Sequence, residues 1–403
     1  MTGKIRRHCL VALVLSALGI VHWLTLRHGH EWGGDFAMYV QCAANLADGR
    51  PYAETGYIYN PEYPTVGPPT YPPGCSVLLA PVYALAGLNL EAMKLVMLVS
   101  MVLFLWFAFL CVRRELSFGI SIAVVALVGL NRVFLGDANA IGSDLPFMAI
   151  LYLTIFLVQK AYDTPAGQPP SFRLFLAAVL CTFVAFATRT VGAVLLPAML
   201  AHDLIRYRRI TPWAVLAGLL FVVLAAGQSV FVHSDSAYLD QYNVGLGVFL
   251  VNAAGYAKEM ASFWHNGYSK ALGALLFLAV TALALLGYGR SVRTRLTILE
   301  IFPVLYLLAV LLFPGYAGRR YLQPIFPLYL LFAAHGLNHP WLIQRAQWRR
   351  AVFASLAVAV VGSYVSSYTQ LELEVTEGVS KASSVEMFDY VRDHTSDRDV
   401  LIF

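Results

Sequence analysis

Asp35 follows Gly33-Gly34 and opens a stretch in which Phe36, Tyr39, Val40, Ala43 and Ala47 recur at helical spacing. A carboxylate at the first turn of such a helix either caps it or is free to act as a base. Met38 stands where a capping box would need Glu or Gln, so reciprocal capping has no support. Asp144, after Ser143 and before Pro146, starts another helix and is the second candidate acid; its rival role is simply to begin that helix well. Arg189 lies between two apolar runs joined by a very short turn. A charge there needs a phosphate or carboxylate partner, unless the side chain snorkels to lipid headgroups. Arg319 and Arg320 form a basic pair at the mouth of a further apolar run, with phosphate binding and headgroup contact as the competing roles. Carboxylates can take a proton from an attacking group, and guanidinium groups can compensate charge on a phosphate.

The elements that must hold these groups are membrane helices. Of 403 residues, 59% are apolar and only 13% charged. A soluble protein of this size must cover its surface with polar groups, so a soluble enzyme, a disordered chain and a disulfide-rich module are all excluded. About eleven apolar spans are expected, near 9–26, 92–112, 118–135, 145–160, 173–188, 191–205, 213–232, 271–287, 298–313, 321–337 and 351–368, with 74–90 the least certain region. Lipid cannot satisfy a backbone, and no span alternates like a barrel strand, so the fold class is an all-α polytopic membrane protein. Assigning the connections alternately to two sides puts Lys4, Arg6, Arg7, Arg113, Arg114, Arg206, Arg208, Arg209, Arg290, Arg293, Arg295, Arg345, Arg349 and Arg350 together in short basic segments. That side is expected to be cytoplasmic. The net charge of +5 is less informative than this sorting. The long connections, 27–73, 233–270 and the tail from 369, fall on the other side with nearly all the acids. Long loops carry function, so the chemistry is expected there, where nucleotide-bound donors are scarce. No glycine-rich nucleotide loop occurs, and nothing points to nucleic acid.

The first long loop contains Gly34-Asp35-Phe36-Ala37-Met38-Tyr39, then Ala44-Asn45-Leu46-Ala47-Asp48-Gly49-Arg50-Pro51-Tyr52, then Tyr71-Pro72-Pro73-Gly74. These segments resemble the first loop of GT-C membrane glycosyltransferases, in the bacterial branch similar to protein O-mannosyltransferases and lipid A aminoarabinose transferases. Gly142-Ser143-Asp144-Leu145-Pro146, Ala187-Thr188-Arg189 and Arg320-Tyr321-Leu322-Gln323-Pro324 agree in order and membrane side. The resemblance implies transfer of a sugar from a polyprenyl-phosphate donor to an acceptor lipid, glycan or protein, at the outer face of a bacterial inner membrane. It implies Asp35 as base. Asp144 is then a second acid, Arg189, Arg320 and Arg319 are phosphate ligands, and Tyr39 and Tyr71 are acceptor or loop contacts. Some members carry two adjacent acids in this loop; here Phe36 follows Asp35.

Residues 1–368 are expected to form the transmembrane domain, with 27–73 as catalytic loop and an amphipathic helix after Asp35 lying on the membrane surface. Lys258, His265 and Lys270 in the second long loop are weaker phosphate or acceptor candidates. No cofactor is expected, and His28, His30 and Glu31 match a metal site only weakly. Cys42 and Cys75 sit among small apolar residues, which favours packing over a disulfide. In the tail, 383–393 reads as a helix and 399–403 as the start of a strand, the opening of an external α/β segment cut short. Two other readings stay open. A transporter or flippase for a lipid-linked or anionic solute would carry charges at mid-span and a structural repeat. An inactive relative acting in assembly would lack the second acid of the loop.

Overall fold

The computed structural model describes residues 2–58, 70–165, 167–232, 245–265, 269–313, 318–338, 346–396 and 399. In chain order its helices are α1 (Thr2–Leu24), α2 (Phe36–Ala47), α3 (Gly74–Ala86), α4 (Leu90–Arg113), α5 (Phe118–Gly129), α6 (Arg132–Ala138), α7 (Asp144–Ala161) and α8 (Phe172–Thr188). They continue as α9 (Leu195–Tyr207), α10 (Pro212–Val232), α11 (Leu246–Ser262), α12 (Lys270–Thr294), α13 (Ile298–Leu312), α14 (Phe326–Leu337), α15 (Ala346–Tyr368) and α16 (Ala382–His394). Five of them, α1, α4, α7, α10 and α12, are long and apolar enough to cross a bilayer, and the pair α5–α6 makes a sixth if taken as one broken span. Shorter apolar helices fall in the expected spans 173–188, 298–313 and 351–368 and in the uncertain region 74–90, and the chain is a multi-pass all-α membrane protein.

Three of the expected spans are broken. The run 118–135 bends by 60° between α5 and α6. Asn131 causes the restart: its side chain accepts from Val133 N at 3.0 Å, while its amide donates to Phe263 O at 3.0 Å and Tyr364 Oη at 2.9 Å. The run 191–205 opens with a 3₁₀ turn, Thr190–Val194, because Arg189 before it is extended, at φ −146° and ψ 132°. The run 321–337 likewise opens with 3₁₀ turns, Gly318–Tyr321 and Gln323–Ile325, and becomes α-helical only at Phe326. Pro324 and Pro327 suit helix starts and cannot donate within one. Within the second long loop, Leu246–Ser262 is a helix that apolar-span reading did not reveal; Asn252 fastens it to the end of α13 through Leu311 O at 3.0 Å and Phe313 O at 2.7 Å.

The core joins α4, α7, α6 and α14. Phe104 packs on Phe134 and Tyr152, and Phe134 on Phe326. Tyr152 Oη donates to Pro324 O at 2.9 Å, which ties α7 to the turn before α14. Helix α2 forms where the periodicity placed it, but its stripe of Tyr39, Val40, Cys42, Ala43 and Asn45 is buried against protein, chiefly α3. Cys42 and Cys75 are free and buried. The tail helix α16 also forms and returns to the first loop: Val379 N donates to His30 O at 3.0 Å, and Trp32 Nε1 to Ser384 Oγ at 3.1 Å. The expected strand over 399–403 lies outside the described residues except for Asp399, as does Arg345.

Lys94 anchors the start of the first loop. It is 1% exposed, and its ammonium donates to Arg27 O at 2.6 Å and to Gly29 O. Lys94→Met leaves two buried carbonyls without donors and should lower unfolding stability by about 1–3 kcal/mol, read as a fall in Tm of the purified protein; an unchanged Tm would remove Lys94 as the anchor.

Candidate functional site

Gly33 and Gly34, at φ 81° and 76°, turn the chain in a conformation that side-chain-bearing residues rarely adopt, and so deliver Asp35 to the start of α2. Asp35 stands at the N-cap position but its side chain makes no capping hydrogen bond. Its carboxylate turns the other way. Oδ1 accepts from Tyr71 Oη at 2.9 Å, and Oδ2 meets Arg320 Nη2 at 2.5 Å across 285 residues of sequence. The capping alternative is thereby displaced.

Asp144 begins α7 beside it. Its Oδ1 is ion-paired with Arg189 Nη1, and its Oδ2 lies 3.9 Å from Arg320 Nε. Two carboxylates and two guanidinium groups therefore alternate in one chain: Asp35, Arg320, Asp144, Arg189. The Arg189 side chain is 9% exposed, which excludes snorkelling to headgroups. It also lies over the Tyr321 ring, 5.1 Å from the centroid. Gly74 lets α3 press on this region, since a Cβ there would come within 2.8 Å of the Thr188 Cα.

Burial alone would raise the Asp35 carboxyl. The Arg320 charge and hydrogen bond, then Tyr71 and Arg189, overcome that and hold it below the ordinary carboxylate range.

These groups face two small connected spaces and a large one. A tight pocket of about 40 Å³ is lined by Asp35, Tyr71, Arg189, Arg320 and Tyr321. A second, of about 270 Å³, shares Asp35 and Arg320 and adds Asp137 and Asp144. A polar chamber of about 950 Å³ shares Asp137 and Arg320 with it and adds Arg132, Glu259, His265 and Arg319. Beside the tight pocket, reached at Thr188, runs an apolar groove of about 530 Å³ between α3, α7, α8 and α10, with Val77, Leu78, Phe183, Val223 and Phe231 in its walls.

Asp35, Asp144, Arg189 and Arg320 thus come together. Tyr71 joins them through its hydroxyl, and Tyr39 forms the wall behind, 3% exposed, stacked on Tyr71 and donating to Ser143 Oγ at 2.9 Å. Arg319 parts from its neighbour and lines only the large chamber. His265 is in that chamber; Lys258 and Lys270 line none of these spaces. His28 pairs with Glu91, Glu31 with Arg27, and His30 is held between Glu31 O and Ile141 N. Among the described residues no group of three or more His, Cys, Asp or Glu could hold a metal ion.

Three solved structures share the fold. ArnT from Cupriavidus metallidurans bound to undecaprenyl phosphate superposes with a TM-score of 0.61 at 16% identity, over 96% of this chain and 81% of that one. The apo form of the same protein gives 0.59 at 16% identity, over the same shares. The Archaeoglobus fulgidus oligosaccharyltransferase, tethered to an acceptor peptide containing the NVT sequon, gives 0.60 at 12% identity, over 96% of this chain and 58% of that one. The chain has the GT-C membrane fold. No known family description and no curated protein matches the sequence.

Sequence reading of this GT-C bundle missed three contributors. Tyr321 and Ser143 stood inside motifs quoted for their charged neighbours, so their roles as ring and hydroxyl partners were hidden. Asp137 is one of the acids sorted to the outer side; nothing in its neighbourhood shows that the 60° bend would place it in one pocket with Asp144 and Arg320.

The Asp144–Arg189 pair gives a direct check. Asp144→Asn leaves a buried guanidinium without its counter-charge and should destabilise the protein by about 2–5 kcal/mol. The double variant Asp144→Asn with Arg189→Met should recover much of that loss in thermal unfolding; equal loss in both would mean that the pairing is not what holds Arg189.

Proposed function

We propose that the protein is an integral-membrane glycosyltransferase. It moves a sugar from a polyprenyl-phosphate donor to an acceptor hydroxyl or amine at the extracytoplasmic face of a bacterial inner membrane, with Asp35 as base. The observation that carries this reading is the ion-paired chain of Asp35, Arg320, Asp144 and Arg189, which lines two small pockets, one of them beside an apolar groove. A lipid phosphate needs both features at once. The groove of about 530 Å³ suits part of a prenyl chain, and it meets the charged pocket at Thr188, next to Arg189. That undecaprenyl phosphate is bound by ArnT, of the same fold, supports this donor class.

The ion-paired chain also suggests how the reaction is gated. Without donor, the two acids neutralise the two arginines. A donor phosphate draws on the same guanidinium groups, and Arg320 Nε is already buried with no hydrogen-bond partner among the described residues. As Arg189 and Arg320 turn part of their charge to the phosphate, Asp35 is relieved and becomes a stronger base. The acceptor oxygen or nitrogen then bonds to the anomeric carbon. The bond from that carbon to the phosphate oxygen breaks, its electron pair stays on the phosphate, and the acceptor proton passes to Asp35. The arginines stabilise the charge that grows on the leaving phosphate. Charged side chains strung along mid-span would have favoured transport; the described ones lie near helix ends, as Lys94 does in α4 and Glu300 in the capping box of α13.

Two experiments test the role of Asp35. Asp35→Asn should reduce transfer from a radiolabelled polyprenyl-phosphate sugar by about 10²–10⁴-fold in protein that still folds, with some loss of thermal stability because Arg320 keeps only the more distant Asp144; wild-type turnover would end the assignment. Asp35 must be ionised to accept a proton, so activity is lost as pH falls through its lowered pKa. Tyr71→Phe removes a hydrogen bond that holds that pKa down, and the acid limb of kcat/KM should move to higher pH. A limb that stays put or moves lower would show that another group sets it.

A further inference from the structure

Between α1 and Asp35 the chain passes through His30, and both of its ring nitrogens are committed to backbone. Nδ1 lies 2.9 Å from Glu31 O, and Nε2 lies 3.1 Å from Ile141 N. A carbonyl only accepts and an amide N–H only donates. Nδ1 therefore carries the proton and donates to Glu31 O, while Nε2 accepts from Ile141. His30 lines the pocket of about 270 Å³ together with Asp35 and Asp144, yet neither nitrogen is left to take a substrate proton. Its ring stacks on Phe36, with centroids 3.9 Å apart. The two faces of this one side chain thus reach the residue after Asp35 and the segment three residues before Asp144.

Asp35 needs such a hold. Gly33 and Gly34 join it to the rest of the loop, both at positive φ, and a Cβ on either meets nothing within 4 Å among the described residues. Packing therefore does not fix this link. Of the bonds to the Asp35 carboxylate, one comes from Arg320, the group on which a donor phosphate draws in the reading above. Tyr71 and the stack on Phe36 then keep Asp35 in place. The approach to Asp144 is fastened to the same loop. Asn139 donates to Thr25 O at 3.0 Å and accepts from Arg27 N at 2.6 Å, and the His30–Ile141 bond continues this seam toward α7.

His30 is in turn clamped by the tail. Val379 N donates to His30 O at 3.0 Å, and Glu31 and Gly378 form an antiparallel bridge. Ser384 Oγ accepts from Trp32 Nε1 and donates to Gly378 O at 2.8 Å. The clamp requires glycine at 378, because a Cβ there would collide with His30 O.

We infer that His30 is a positioning residue for transfer: it holds the segments of Asp35 and Asp144 against each other while the donor occupies Arg320, and residues 378–384 of the tail hold His30. This role rests on the transferase reading, with Asp35 as base.

The test uses the full chain in detergent, a labelled polyprenyl-phosphate sugar, a total envelope extract as acceptor source, and polyprenyl phosphate as binding probe. His30→Ala should lower turnover at saturating donor by about 10²-fold, the cost of misplacing a reacting group by about 1 Å, with donor KM and polyprenyl phosphate affinity changed less than about twofold. His30→Phe keeps a ring on Phe36 and should recover part of the loss. Gly378→Val should lower turnover in the otherwise unchanged protein and add little in the His30→Ala background, since both act through one contact. Wild-type turnover in His30→Ala, or His30→Phe no better than His30→Ala, would overturn the positioning role. So would a loss seen in donor KM and polyprenyl phosphate binding, which would make His30 a part of the fold or of the donor site. Losses that multiply in the double variant would detach the tail from His30. Transfer that depends on Asp35 but not on His30 strikes this inference alone. No transfer by the wild type, or full turnover in Asp35→Asn, strikes the transferase reading and the positioning role with it.

Discussion

A guanidinium buried at the edge of a membrane must have a counter-charge, and the architecture around the site follows from that need. Arg189 is held by Asp144, Arg320 by Asp35 and, more distantly, by Asp144. Each pair joins segments remote in sequence, so the first loop, the start of α7, the end of α8 and the turn before α14 are fixed by one electrostatic chain. Such pairs contribute little net stability once desolvation is counted, but removing one partner is expensive. That asymmetry makes them poor staples and good holders of reactive charge. They hold two carboxylates and two guanidinium groups in place against one another.

The helix breaks serve the same end. Membrane helices satisfy their own backbones, so non-helical segments at this depth are tolerated only where protein or a cavity supports them. The extended Arg189, the 3₁₀ turns over Gly318–Tyr321 and Gln323–Ile325, and the bend at Asn131 are such segments. Each brings polar side chains to the same group of cavities. Tyr152, from the packed core, and Asn131, at the bend, pin the irregular backbone from behind. The apolar groove between α3, α7, α8 and α10 meets this charged end at Thr188.

Much of this was legible before any coordinates because charge is scarce. In a chain with 13% charged residues, Asp35, Asp144, Arg189 and Arg320 stand out individually, and positive-inside sorting puts them at one end. Their partners were not legible. The Asp35–Arg320 contact joins residues 285 apart, and no local pattern encodes it. Nor did adjacency help with Arg319 and Arg320, since the 3₁₀ turn sends one to the acids and the other to the chamber. Asn131 and Arg132 read as the end of a span because hydropathy averages over a window, whereas one asparagine bonding to two other segments is enough to bend the helix. Helix α11 escaped notice because Asn252, Gly255, Lys258 and Glu259 interrupt its apolar run, and Asn252 and Tyr256 are buried within the protein.

The central claim is that a lipid phosphate takes over the arginines and releases the acids. The most direct measurement is a structure of the protein with polyprenyl phosphate bound. The account expects the phosphate oxygens within about 3 Å of Arg189 or Arg320, the chain in the groove beside Thr188, and the Asp35–Arg320 contact lengthened or lost. A phosphate bound elsewhere, with Asp35 still paired to Arg320 and Asp144 to Arg189, would contradict it.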